Sequence, residues 1–250
     1  MAFNEKKFNR IFNVCILAGM TIMTVLMTAF KLVSADTGKL LLLVSAFGSI
    51  MGVCSTVASA NGKIWTFFFG FFDVSIYAVA CFIGAKYGNA VLHAIYFVPM
   101  QFIGWYQWNK RGKSEENRVK ARRFNRSQWL LYTVIFLLGS VISYFILARF
   151  DKESADAFIK WAVVLDVVPM MCNILGQLLM SMAYMEQWVF WIGVNIFSIL
   201  MWITTYSKTQ DSYALIYVIK YSFYLINSLN GLRIWINISR PDQPGVAKSA

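Results

Sequence analysis

Residues 187–207 read QWVFWIGVNIFSILMWITTYS, twenty-one residues without a formal charge. As an α-helix such a run is about 30 Å long, the thickness of a bilayer's hydrocarbon core. Its polar and bulky groups are not scattered. Trp188, Trp191, Asn195, Ser198 and Trp202 follow one another at spacings of 3, 4, 3 and 4, which puts them on one helix face. The length assigns the run to lipid, and the stripe assigns one face to something other than lipid.

Seven further runs of this kind flank it: 11–31, 40–62, 64–85, 87–109, 128–148, 161–185 and 212–233. The charges well inside them are Asp73, Asp166 and Lys220, and His93 is the only histidine. The composition agrees, with 58% of 250 residues hydrophobic, 14% charged and a mean hydropathy of +0.56. Soluble domains carry roughly 25% charged residues. Backbone groups in lipid must pair internally, so each run is expected to be helical. The expected fold is an all-α integral membrane protein of about eight transmembrane helices.

The net charge of +11 does not point to nucleic acid, because the cations lie in short segments between apolar runs. The segment 110–126 concentrates Lys110, Arg111, Lys113, Arg118, Lys120, Arg122, Arg123 and Arg126 against Glu115 and Glu116, and reads as cytoplasmic. An even span count then places both termini on that side. Lys6, Lys7 and Arg10 agree, as do Arg233, Arg240 and Lys248. The mixed loop 149–160, with Asp151, Glu153 and Asp156, falls outside. The first run is too long for the apolar part of a signal peptide and reads as a true span. Cys15, Cys54, Cys81 and Cys172 lie within apolar runs and read as small packing residues.

An internal repeat adds architecture. Trp65-x-Phe67-x-x-Gly70 matches Trp188-x-Phe190-x-x-Gly193 at a shift of 123, and Gly104-x-x-x-Trp108 matches Gly231-x-x-x-Trp235 at 127. Spans 2–4 and 6–8 are therefore expected to be two copies of a three-helix unit. Tandem copies of an odd unit insert upside down, so span 5 acts as an inverting helix that restores parallel repeats. The expected segments are residues 1–39 (cytoplasmic start and an extra N-terminal helix), 40–109 (first repeat), 110–160 (basic loop and linker helix), 161–237 (second repeat) and 238–250 (cytoplasmic tail). Ser45, Gly48, Gly52, Ser55 and Ser59 form a small-residue stripe expected to pack against another helix, in the bundle or between subunits.

Polar groups inside a bilayer are costly, so their positions carry information. Asp166, Pro169, Asn173 and Gln177 share a face of span 6. Gln101, Trp105 and Trp108 follow Pro99 in span 4. Tyr213, Tyr217, Lys220, Tyr224 and Asn227 form a stripe in span 8, with Tyr221 beside it. Two readings compete: a midplane cavity for a polar, flat ligand, or helix glue with interfacial aromatic belts. Near span centres, at Gln101, Asn173 and Asn195, the cavity is favoured. Near span ends, at Trp188, Trp202, Tyr213 and Trp235, the belt is favoured. The candidate substrate-binding set is Gln101, Trp105, Asn173, Gln177, Trp188, Trp191, Asn195, Tyr217, Tyr221 and Asn227. Asp73, Asp166 and Lys220 are candidates for coupling or for structural pairing. Gly112-Lys113-Ser114 matches the end of a P-loop, but position 107 is Gln where a glycine is required. No catalytic cluster, metal set or cofactor motif is visible, so an enzyme is not expected.

One stretch resembles a known family. Gln101-Phe-Ile-Gly104-Trp105-Tyr-Gln-Trp108, followed by Asn109 and the basic segment, resembles the Q-x-x-G-W-x-x-W signature of PnuC-type nicotinamide riboside transporters. Tyr224-Leu-Ile-Asn-Ser-Leu-Asn-Gly231-Leu-Arg-Ile-Trp235 is similar to that family's closing helix. The resemblance covers 40–237 and implies a bacterial inner-membrane homotrimer with a SWEET-like fold. It also implies facilitated diffusion of nicotinamide riboside, trapped afterwards by a cytoplasmic kinase. Relatives that carry thiamine or riboflavin keep another vitamin open as substrate, and a sugar is a further alternative. An embedded enzyme or scaffold is the alternative from another class.

Overall fold

The computed structural model describes residues 5–34, 39–83, 87–112, 117–149, 160–210 and 212–240. Lys113, Glu115, Glu116, Asp151, Glu153, Asp156 and Lys248 lie outside them, as does the side chain of Tyr213. The helices are α1 (Glu5–Ser34), α2 (Lys39–Ala60), α3 (Trp65–Ile83), α4 (Tyr87–Leu92), α5 (Val98–Arg111), α6 (Arg126–Ala148), α7 (Trp161–Ser181), α8 (Gln187–Thr209) and α9 (Ser212–Ile238). Among the described residues six helices are long and apolar enough to cross a membrane: Glu5–Val33, Lys39–Ala60, Trp65–Ile83, Arg126–Ala148, Val163–Ser181 and Gln187–Lys208. The protein is an all-α, multi-pass membrane protein.

The fourth run is not one unbroken helix. His93–Phe97 forms a π turn between α4 and α5, in which the Val98 N–H donates to the His93 carbonyl. Pro99 has no N–H to give, and the wider turn sets the ladder for a restart with proline in the first turn of α5. The His93 ring lies between Tyr77 and Phe97 at 4.6 and 4.7 Å, and its Nδ1 donates to the Asn89 carbonyl at 2.9 Å.

The chain divides into two compact units, Met1–Lys120 with Asp242–Ala250, and Ala121–Pro241. In the first, α1 packs on α2, α2 on α3, and α3 on α4 and α5. The small-residue stripe of α2 faces α3. A Cβ on Gly48 would stand 2.9 Å from Ile76, and one on Gly52 would stand 2.8 Å from the Asp73 carboxylate. The stripe therefore serves packing within the bundle. In the second unit α6 packs on α7, α7 on α8, and α8 on α9. The ring of Trp191 lies across Gly176, whose Cβ would meet it at 3.1 Å.

Each unit closes its first long turn in the same way. At the end of α2, Gly62 N–H donates to Ser59 O and Lys63 N–H to Ala58 O; at the end of α7, Ala183 N–H donates to Met180 O and Tyr184 N–H to Leu179 O. These are Schellman closures, and Gly62 and Ala183 take their left-handed positions at φ 65° and 60°. Helix α7 consequently ends at Ser181, four residues before the expected 185. The carbonyls of Gly62 and Ala183 then accept N–H groups from the loop: Val119 at 2.9 Å in the first unit, Arg122 at 2.8 Å in the second.

Packing also corrects the repeat register. Phe67 fills the space over Gly104 and meets Trp108 edge-on at 4.9 Å. Trp188 fills the space over Gly231 and lies 6.3 Å from Trp235. The partner of Trp188 is thus Phe67, at a shift of 121, and not Trp65 at 123. Gly62 and Ala183 obey the same shift of 121. Trp65 instead stands exposed beside Trp105.

Candidate functional site

Helices α8 and α9 face each other through a ladder of polar and aromatic pairs. Trp188 sits at one end, 1% exposed, against Gly231 and Trp235. Next, Asn195 Nδ2 donates to the Trp191 carbonyl at 2.8 Å and to Ser228 Oγ at 3.0 Å. One turn on, Ser198 hydrogen-bonds the Tyr221 side chain. Beyond it, Trp202 and Tyr217 stack face to face, 4.0 Å between centroids and 8° between planes. The 3-and-4 spacing aligns these residues on α8, and α9 answers at 217, 221, 228 and 231.

The ladder sorts the candidates. Trp188 and Asn227 are fully buried and belong to the packing. Trp188 is therefore neither an interfacial belt residue nor an open site wall. Trp191, Tyr217, Tyr221 and Tyr224 are half-buried. Lys220 Nζ lies 6.0 and 5.7 Å from the Tyr217 and Tyr224 ring centroids, near the outer limit of cation–π attraction. Both hydrogens of Asn195 are committed, so its Oδ1 is the end that can accept from a ligand amide or hydroxyl.

On α7 the polar side chains turn back on their own helix. Asn173 Nδ2 donates to the Pro169 carbonyl at 2.9 Å, and Ser181 Oγ donates to the Gln177 carbonyl at 2.9 Å. Asn173 is half-buried and Gln177 buried, while Asp166 is exposed. In the first unit Gln101 is buried: Nε2 donates to the Phe97 carbonyl, and Oε1 has no hydrogen-bond partner among the described residues. Its carboxamide leans on Gly70, whose Cβ would stand 2.6 Å from Oε1 and 3.1 Å from Ser55 Oγ. The buried stripe of this stretch is Phe97, Gln101, Gly104 and Trp108. Trp105 is 36% exposed on another face and pairs with Trp65, apart from Gln101.

Glu186 escapes a reading based on apolar runs, because it is the single residue between the runs 161–185 and 187–207. It lies in the turn between α7 and α8 and is 2% exposed. Its Oε1 accepts from the Phe124 N–H at 2.9 Å, and Oε2 has no hydrogen-bond partner among the described residues. Beside it, Arg122 covers the Tyr184 ring at 4.5 Å, and Arg123 donates to Ser239 Oγ and to the Ile236 carbonyl, both at 2.9 Å.

Burial raises the Glu186 carboxyl above the usual carboxylate range, opposed by the Phe124 N–H, its own backbone N–H and the Arg123 charge. The folded state then holds this proton more tightly than the unfolded chain does. Its contribution favours folding at low pH and is lost as pH rises through the folded pKa. Glu186→Gln retains an acceptor for Phe124 and has no charge to desolvate. The variant is expected to melt above wild type at about pH 8, with the difference shrinking towards about pH 4.5. Melting curves of both proteins across that range check it.

Together these features define a class: a multi-pass membrane transporter with a polar–aromatic face on α8 and α9. Residues 42–237 match the family model described as nicotinamide mononucleotide transporter, and the chain belongs to that family. It is 29% identical over 205 residues to nicotinamide riboside transporter PnuC of Neisseria mucosa, across 78% of this chain and 72% of that protein. It is 30% identical over 195 residues to PnuC of Haemophilus influenzae, also named a nicotinamide riboside transporter, across 76% and 77%. The fold is similar to the crystal structure of the vitamin B3 transporter PnuC, with a TM-score of 0.67 and 27% identity over 95% of this chain and 93% of that one.

Proposed function

We propose that this protein carries nicotinamide riboside across a bacterial inner membrane by facilitated diffusion with alternating access. A cytoplasmic kinase then traps the substrate as its phosphate. Both termini are cytoplasmic and the assembly is a homotrimer. The binding set is Asn173, Trp191, Asn195, Tyr217 and Tyr221, with Gln177, Trp188 and Asn227 supporting it through packing in the same unit.

The observation that carries this reading is the α8–α9 ladder, where half-buried rings flank one carboxamide whose oxygen is left to accept. The riboside offers a flat cationic pyridinium, a carboxamide and ribose hydroxyls. Aromatic faces favour a cation by roughly 0.5–2 kcal/mol. A mononucleotide adds phosphate charge, and among the described residues of the ladder Lys220 is the one cation. That disfavours the mononucleotide despite the family model's description.

Labelled uptake by purified protein in liposomes tests the reading. Saturable uptake of the riboside is expected, competed by neither the mononucleotide, thiamine nor riboflavin, and stopping at equal concentrations inside and out. Preferred uptake of another vitamin would replace the substrate. Accumulation above the outside level under an imposed Na⁺ or proton gradient would replace facilitated diffusion by coupling.

A further inference from the structure

Helix α1 lies before the first repeat and has no role in a plan of two three-helix units. Its contacts supply one. Asn9, Ile16 and Met20 are buried, and with Asn13 they form a stripe at spacings of 4, 3 and 4 on the face that packs on α2. Asn13 Nδ2 donates to Asn61 Oδ1 at 3.1 Å. Asn61 caps the end of α2, its Nδ2 donating to the Val57 carbonyl at 2.8 Å. The next residue is Gly62, the left-handed position whose carbonyl takes Val119.

In the second unit α6 does the same for α7. Gln128 Nε2 donates to the Tyr184 hydroxyl at 2.9 Å, and the Tyr132 hydroxyl reaches Met182 Sδ at 4.0 Å. Met182 precedes Ala183, the left-handed position whose carbonyl takes Arg122. Met171 of α7 fills the space over Gly139. The registers agree. Asn9 and Gln128, Asn13 and Tyr132, and Met20 and Gly139 are each related by 119. Asn61 and Met182, like Gly62 and Ala183, are related by 121. Two helices of unlike sequence meet the same turn, at the same depth, from the same place in their unit.

We propose that α1 is the counterpart of α6, that each unit has four helices, and that the first helix of each braces the turn after the second. Asn13 and Asn61 are positioning residues: they hold the Gly62 turn in the shape that accepts Val119. A unit that changes access as a body needs that turn rigid, whereas ligand binding on other helices does not. The kinetic half of this proposal rests on the transporter reading, and the structural half does not.

Amide hydrogen exchange tests the structural half. In Asn13→Leu the Lys63 and Val119 amides are expected to exchange roughly tenfold faster, the scale of one lost hydrogen bond. In Tyr184→Phe the same is expected at Arg122 and Tyr184. Asn13→Ser serves where the leucine variant does not fold. Uptake and equilibrium binding of labelled nicotinamide riboside test the kinetic half. Asn13→Leu and Asn61→Leu are each expected to lower the maximal rate by about three- to tenfold, to leave Kd within about twofold, and to add little when combined.

Unchanged exchange at Lys63 and Val119 overturns the brace. A loss of affinity in proportion to the loss of rate overturns the kinetic half. If wild-type protein neither binds nor carries the riboside, the substrate reading has failed, and the exchange measurement still decides the brace.

Discussion

Gly231→Ala is expected to lower the melting temperature sharply, and Gly231→Leu to yield no folded protein. An added Cβ would stand 2.5 Å from Trp188 Cη2 and 2.6 Å from Cζ2 and Cζ3. The ring has nowhere to retreat, because Trp188 is among the most completely buried side chains and Trp235 packs beside it. Overpacking of this kind costs roughly 1–3 kcal/mol for small additions. Gly104→Ala repeats the experiment in the first unit, where the added atom would overlap the Phe67 ring. Gly88→Ala is the control: its Cβ meets nothing within 4 Å, and alanine is the better helix former by roughly 0.5–1 kcal/mol. Equal melting of the Gly231 and Gly88 variants would mean that Trp188 is not locked.

Asn195→Ala is expected to weaken nicotinamide riboside binding by roughly 1–3 kcal/mol, about 5- to 150-fold in Kd. Two losses combine. The ligand loses an acceptor, and Ser228 Oγ loses the donor that orients it on α9. Trp105→Leu makes the contrast. This indole stands on an exposed face beside Trp65, so near-wild-type affinity is expected. Calorimetry on both purified variants checks the pair. Full affinity in Asn195→Ala would remove the carboxamide from the site. A large loss in Trp105→Leu would return the indole to it.

Much of this was legible in the sequence because lipid allows few solutions. A span must be long, apolar and helical, so the runs could be found without knowing their neighbours. The α8 stripe was legible for a similar reason, since spacings of 3 and 4 are a property of the helix itself. What was not legible depended on contacts. Ala183 takes a left-handed position without the glycine that normally marks one, so α7 was expected to run on to 185. Glu186, the single residue left between the runs 161–185 and 187–207, was given no role. The π turn goes with His93 lying between Tyr77 and Phe97, a contact that no pattern around Pro99 announces.

The candidate set shows the same division. Letter identity paired Trp65 with Trp188, but what the two units share is a large ring over a glycine, and in the first unit that ring is Phe67. Gln101 and Trp105, four apart, seemed to share one face. The buried stripe runs through Phe97, Gln101, Gly104 and Trp108, and leaves Trp105 outside it. Helical spacing narrows the choice of face, and the neighbouring helix decides where its edge falls.

The packing of α1 on α2 bears on how such a chain could arise. A three-helix ancestor ends on the opposite side of the membrane from where it began, so joining two copies demands an added helix at the seam. A four-helix ancestor ends where it started. Its gene can double by one in-frame fusion, each copy enters the bilayer in the same sense, and the helix at the seam is inherited and not recruited. On that account the N-terminal helix belongs to the doubled unit and was not added to it.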